Sequence, residues 1–108
     1  MIKGDVPFVG KTLKGKIVHT TKAGMLSEHF GHFQEALFVD RQVYQVTHLK
    51  TGRRIVSVKN KRAADAIIAD LEAITPPIPW NEMNDKNANE NRAAVSGILQ
   101  KYAKALSS

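Results

Sequence analysis

The residues in this chain best suited to chemistry are cations. Lys50, Arg53 and Arg54 crowd around one glycine, Gly52, and Lys59, Lys61 and Arg62 follow a few positions later. From Arg41 to Arg62 there are seven basic residues and no acidic one. Guanidinium and ammonium groups in such density match phosphate oxygens, the first as a planar fork and the second as a point charge. Gln45, Thr47 and Ser57, set between them, add neutral hydrogen-bonding groups of the kind used along a phosphate backbone. The plainer account of the same charge is a well-hydrated surface.

The four histidines, His19, His29, His32 and His48, are the other reactive group. His29 and His32 are three apart with Glu28 adjacent, and on a helix they would share a face, as zinc ligands do. No cysteine, no HExxH spacing and no clear third ligand accompany them, so no metal site is expected and no cofactor is implied. The interleaved phenylalanines of His29–Phe33 read instead as a packed aromatic segment. Ser27, Glu28 and His29 are neighbours in sequence, which does not make a catalytic triad. Gly10-Lys11-Thr12 has the ending of a phosphate-binding loop, but Asp5 occupies the position where that loop needs its first glycine. With no paired carboxylates on a predicted cleft, an enzyme is not expected.

The elements that must position these groups are clearest from Val43 to Ile74. Two runs rich in valine, isoleucine, tyrosine and threonine flank Lys50-Thr51-Gly52 and read as a β-hairpin. A three-residue loop with Gly52 in the left-handed region sets Val46 opposite Val56 and Tyr44 opposite Val58. Those four residues form a core face. The other face carries Gln45, Thr47, Arg53, Ser57 and Lys59 and reads as mostly polar, with Val43, Leu49 and Ile55 among them. Asn60 is a helix N-cap. Ala64, Ile67, Ile68, Leu71 and Ile74 then recur at helical spacing, Asp65 and Glu72 fall on the outer face, and Pro76-Pro77 ends the helix. Cations rather than carboxylates at the start of this helix oppose its dipole, which favours an anion-binding role there.

Elsewhere the signals are weaker. Residues 1–15 read as an irregular arm, and Lys16–Thr21 as a short strand. Met25–Leu37 fits a helical turn near Ser27 followed by a strand from about Gln34 to Val39. Thr75–Trp80 is a proline-stiffened connector in which Trp80 is expected to lid the core beside Ile78, and residues 75–88 form a Pro/Asn-rich connector. A C-terminal helix is predicted over 89–106 with Val95, Ile98, Leu99, Tyr102 and Leu106 as its apolar stripe. If that helix projected, its stripe would be a homodimerisation surface.

The length of 108 residues suits a single domain with a real core. The formal net charge is +6, and Lys3, Lys11, Lys14, Lys16 and Lys22 extend the basic bias toward the N-terminus. Absence of cysteine, of a signal-like run and of an apolar membrane-length stretch points to a cytoplasmic protein with no membrane partner. The expected fold is a small α+β domain: an antiparallel sheet of three to four strands built on the central hairpin, with two helices, the second C-terminal. The expected function is non-enzymatic binding of nucleic acid, DNA or RNA, through Lys50, Arg53, Arg54, Lys59, Lys61 and Arg62. The alternative is an adaptor or inhibitor docking the same face on an acidic protein surface.

Overall fold

A computed structural model describes residues 1–11, 14–38, 41–74, 80 and 85–105, with side chains for all of these except 11, 36–38, 41–42, 85–90 and 105. It is an α+β fold with five strands, one or two more than the sequence implies. The strands are β1 (Ile2–Lys11), β2 (Ile17–Leu26), β3 (Phe30–Phe38), β4 (Arg41–His48) and β5 (Arg54–Val58). Two α-helices follow, α1 (Lys61–Glu72) and α2 (Asp85–Lys101), and a 3-10 turn covers Ala103–Ala105. The strands pair antiparallel in sequence order, β1-β2-β3-β4-β5. No helix among the described residues is long and apolar enough to cross a membrane.

The central hairpin has the expected register: Val46 pairs with Val56 and Tyr44 with Val58. It reaches that register by another route. The His48 N–H donates to the Arg53 carbonyl at 3.0 Å and the Gly52 N–H to the His48 carbonyl at 2.8 Å, so the loop is Leu49–Gly52, four residues rather than three. A shift between Val46 and Thr47 then passes over Ile55 and restores the pairing. Gly52 has φ 71°, the left-handed conformation this loop needs, and β-carbons there would crowd the Phe8 backbone and Val9.

The N-terminal segment is not an irregular arm. It pairs with β2 along ten residues, from Ile2 opposite Leu26 to Lys11 opposite Ile17. β2 pairs with β3 through two residue pairs, Met25–His32 and Leu26–Gly31, and this links the β1–β2 hairpin to the rest of the sheet. From this narrow hinge it folds back over the sheet. Val9 donates its N–H to the Gly52 carbonyl at 3.0 Å, so β1 reaches the loop between β4 and β5 although two strands separate it from β4. Pro7 shares the outward backbone orientation of Val9. It has no N–H to leave unpaired, as suits an edge strand.

The fold-back overturns the expected polar face of the hairpin. Val43, Gln45 and Thr47 are buried, together with Val6 and Phe33, while Phe8 stacks 4.9 Å from Phe33. The Gln45 amide donates to the Thr47 hydroxyl at 3.2 Å, which satisfies polar groups shut away from water. Gln45 and Thr47 are therefore not donors for a ligand.

The other face carries the main core. Phe30, Val46 and Val58 meet Ala63, Ala64, Ile67, Ile68 and Leu71 of α1, and Trp80 and Ile98 complete it. Asn60 caps α1 by accepting from the Ala63 N–H at 2.8 Å. The helix ends at Glu72, and Pro76-Pro77 lies outside the described residues. Trp80 is buried edge-on against Phe30, ring centroids 4.7 Å apart, as expected of a lid. Val95, Ile98 and Leu99 of α2 and Tyr102 just after it pack against this core, and the Tyr102 hydroxyl donates to Asp70 at 2.6 Å. The stripe thus packs, in part, within the chain. Leu106 lies outside the described residues.

Candidate nucleic-acid interface

The six cations singled out by sequence are all exposed. Lys50 sits in the β4–β5 loop, Arg53 follows it, and Arg54 opens β5. Lys59 precedes the N-cap, and Lys61 and Arg62 are the first two residues of α1. They form two groups at opposite ends of β5, whose nearest members Arg54 and Lys59 are separated by about 17 Å at the usual strand rise of about 3.3 Å per residue. Among the described residues, Lys50, Arg54, Lys59, Lys61 and Arg62 have no ion-pair partner. The first turn of α1 contains no acidic residue. Its cap takes the Ala63 N–H, and the N–H groups of Lys61 and Arg62 lie ahead of the helix's own bonding. Charge, helix dipole and free backbone donors all favour an anion at this end.

The fold adds a cation that the sequence did not associate with this group. Lys3 of β1 and Lys61 of α1 line one cavity. Lys3 comes to this cavity through the pairing of β1 with β2 and of β2 with β3, which sets Lys3 opposite Met25 and Met25 opposite His32, and no local pattern announces it.

The histidines divide differently from the sequence expectation. His29 lies in the β2–β3 turn and His32 in β3, with no helical turn between them. The Ser27 N–H donates to the Phe30 carbonyl at 2.7 Å, which closes a tight hairpin, and β3 begins at Phe30 rather than near Gln34. Glu72 holds this turn against α1. Its carboxylate accepts from the Ser27 hydroxyl at 2.7 Å, the His29 N–H at 2.9 Å and the His29 ring Nδ1 at 2.6 Å. His32 instead donates Nε2 to Asp65 at 2.7 Å. Asp65 and Glu72, expected on the outer face of α1, are both turned to histidines. His19 is exposed on β2.

This arrangement bears on both catalysis and metal binding. Ser27 donates to Glu72 and not to a histidine nitrogen, so the serine–histidine contact of a nucleophilic triad is absent from this group. His29 and His32 use different carboxylates and do not share a ligand set. Among the described residues, Glu28, His29 and Glu72 bring ligand atoms within 4.8 Å of one another. The Glu72 oxygens take three hydrogen bonds there, which clasp the β2–β3 turn to α1.

Two groups in this region have shifted proton affinities. Burial lowers the His48 pKa, the bond from Nε2 to the Trp80 carbonyl at 2.8 Å opposes that, neighbouring His29 lowers it and Glu72 raises it; the net shift is downward from 6.5. The neutral ring accepts at Nδ1 from the Thr51 hydroxyl, 2.9 Å away. Burial raises the Glu72 pKa, but its bonds from Ser27 and His29 outweigh that and hold it below 4.5. Both folded-state values lie below the unfolded ones, so both contributions are complete above the unfolded pKa and are lost as pH falls. Stability should therefore decline first below 6.5 through His48 and again below 4.5 through Glu72. Urea unfolding of wild type and His48→Gln checks the first step: their stability difference should narrow between about pH 8 and about pH 5.5. A difference that does not change over this range would contradict the assignment to His48.

No family model matches the chain, and comparison with curated proteins and with solved structures finds no match either.

Proposed function

We propose that this chain is a non-enzymatic nucleic-acid-binding protein that contacts the phosphate backbone through Lys50, Arg53 and Arg54 at one end of β5 and Lys59, Lys61 and Arg62 at the other. The observation that carries this reading is the exposure of all six side chains over a stretch free of acidic residues. Two cationic ends about 17 Å apart can reach more than one phosphate of a strand. The buried Gln45 and Thr47 contribute no donors, so the contact is electrostatic and weakly selective for sequence.

Fluorescence anisotropy with labelled duplexes of unrelated sequence tests the reading. Affinities should lie close together, and log affinity should fall linearly with log salt. Absence of binding at low salt by folded protein would refute it. In that case an acidic protein becomes the partner to seek, through a nuclease-resistant complex abolished by Arg53→Glu with Arg54→Glu.

A further inference from the structure

One face of the sheet continues across four strands beside the start of α1. The register aligns Lys3 with Met25, Asp5 with Ala23, Met25 with His32 and Gln34 with Tyr44, so these side chains stand on the same side. α1 covers this face over β3 to β5, and its first residue, Lys61, overhangs the part left open. The result is a cavity of about 520 Å³. That volume lies within the roughly 300–1,000 Å³ typical of small-molecule sites.

The walls are chemically divided. Ala23, Met25 and the half-buried ring of Tyr44 are apolar. His32 is 2% exposed, and its ring is fixed by Asp65 at 2.7 Å and by an edge-on contact with Tyr44 at 6.0 Å. Gln34 and Asp5 bring an amide and a carboxylate, and exposed Lys3 and Lys61 bring positive charge. An apolar wall with hydrogen-bonding groups beside it and cations at its border suits a flat heterocycle that carries a phosphate.

We propose that this cavity receives one unpaired nucleotide of a single-stranded nucleic acid. The base rests against Met25 and Tyr44, Gln34 and Asp5 meet its hydrogen-bonding edge, and its phosphate lies between Lys3 and Lys61. The proposal rests on the phosphate-binding reading above, because Lys61 belongs both to the cavity and to the cationic group at the start of α1. It adds a preference for single strands over duplex, in which bases remain stacked. Asp5 as a carboxylate only accepts, which favours a base with an exocyclic amino group.

Ala23→Phe tests this directly. Ala23 is exposed, so a larger side chain fills the cavity without entering the core. Gln34→Ala is the second variant, also at an exposed position. Anisotropy is measured with a labelled adenine single strand, a uracil single strand and a duplex of the same length, with circular dichroism to show that each protein is folded. Wild type should prefer the adenine strand. Ala23→Phe should weaken single-strand binding about tenfold, as loss of one stacked base does, and leave duplex binding within about twofold. Gln34→Ala should weaken the adenine strand more than the duplex. Equal binding of strand and duplex by wild type, unchanged in Ala23→Phe, would overturn the cavity proposal and leave the phosphate-binding reading standing. Failure of wild type to bind any of the three would overturn both.

Discussion

Replacing Phe30 with alanine should cost on the order of 3–5 kcal/mol, the range for truncating a buried aromatic ring. Phe30 is fully buried where three parts of the chain meet. Its ring lies 4.7 Å from Trp80 and 5.7 Å from His48, and the core around it includes α1. Trp80 is itself held by the bond its carbonyl accepts from His48 Nε2. Truncation therefore removes the surface against which the tryptophan rests. Chemical denaturation gives the cost, and the near-ultraviolet circular dichroism of the single tryptophan should weaken in parallel. A loss below about 0.5 kcal/mol, the scale of surface changes, would contradict the packing described.

A large loss is also expected from the smallest change, Gly24→Ala. A β-carbon at Gly24 would run into the His32 carbonyl oxygen and stand 3.0 Å from Phe33 Cβ. The nearest obstacle is backbone and cannot rotate away. This is also where β2 joins β3 through only two residue pairs, so the strain falls on the hinge that places the β1–β2 hairpin. The cost should reach the upper part of the roughly 1–3 kcal/mol of overpacked sites, or exceed it. Gly97→Ala is the contrast. Gly97 is exposed within α2, and nothing lies within 4 Å of the added carbon. That change should stabilise by about 0.5–1 kcal/mol through helix propensity. Thermal unfolding of the two variants should move in opposite directions, and a neutral Gly24→Ala would contradict the close crossing of β2 and β3.

The parts of the fold legible in sequence are those set by local pattern. Alternation of Tyr44 and Val46 with Val56 and Val58 identified the hairpin and its register, and Asn60 marked the start of α1. Loop length is not legible in the alternation, because a longer loop with a compensating bulge at Ile55 leaves the same residues opposite one another. The segment around Ser27 misled for a different reason. Phe30 and Phe33 are three apart, a helical spacing, yet on β3 they point to opposite faces, and both faces are buried. Period-two alternation disappears when a strand has no solvent side. The same two-sided burial converted Gln45 and Thr47 from surface donors into a buried pair.

The cluster of exposed cations was legible because its members are close in sequence. Lys3 was not, since its place in the cavity that Lys61 also lines depends on the pairing of β1 with β2 and of β2 with β3. The carboxylates of Asp65 and Glu72 were read as solvent-facing for a similar reason. Their partners, His32 and His29, lie 33 and 43 residues away, and helical periodicity carries no information about what a neighbouring turn will bring.

The central claim, phosphate contact by the cations around β5, is tested most directly by the salt dependence of duplex binding in wild type and in Lys61→Ala with Arg62→Ala. Neither side chain enters the core, so the variant should unfold like wild type. Each lost phosphate contact removes about 0.9 from the slope of log affinity against log salt, so the slope should fall by about two units. Binding with an unchanged slope, or no binding by either folded protein at low salt, would contradict the account.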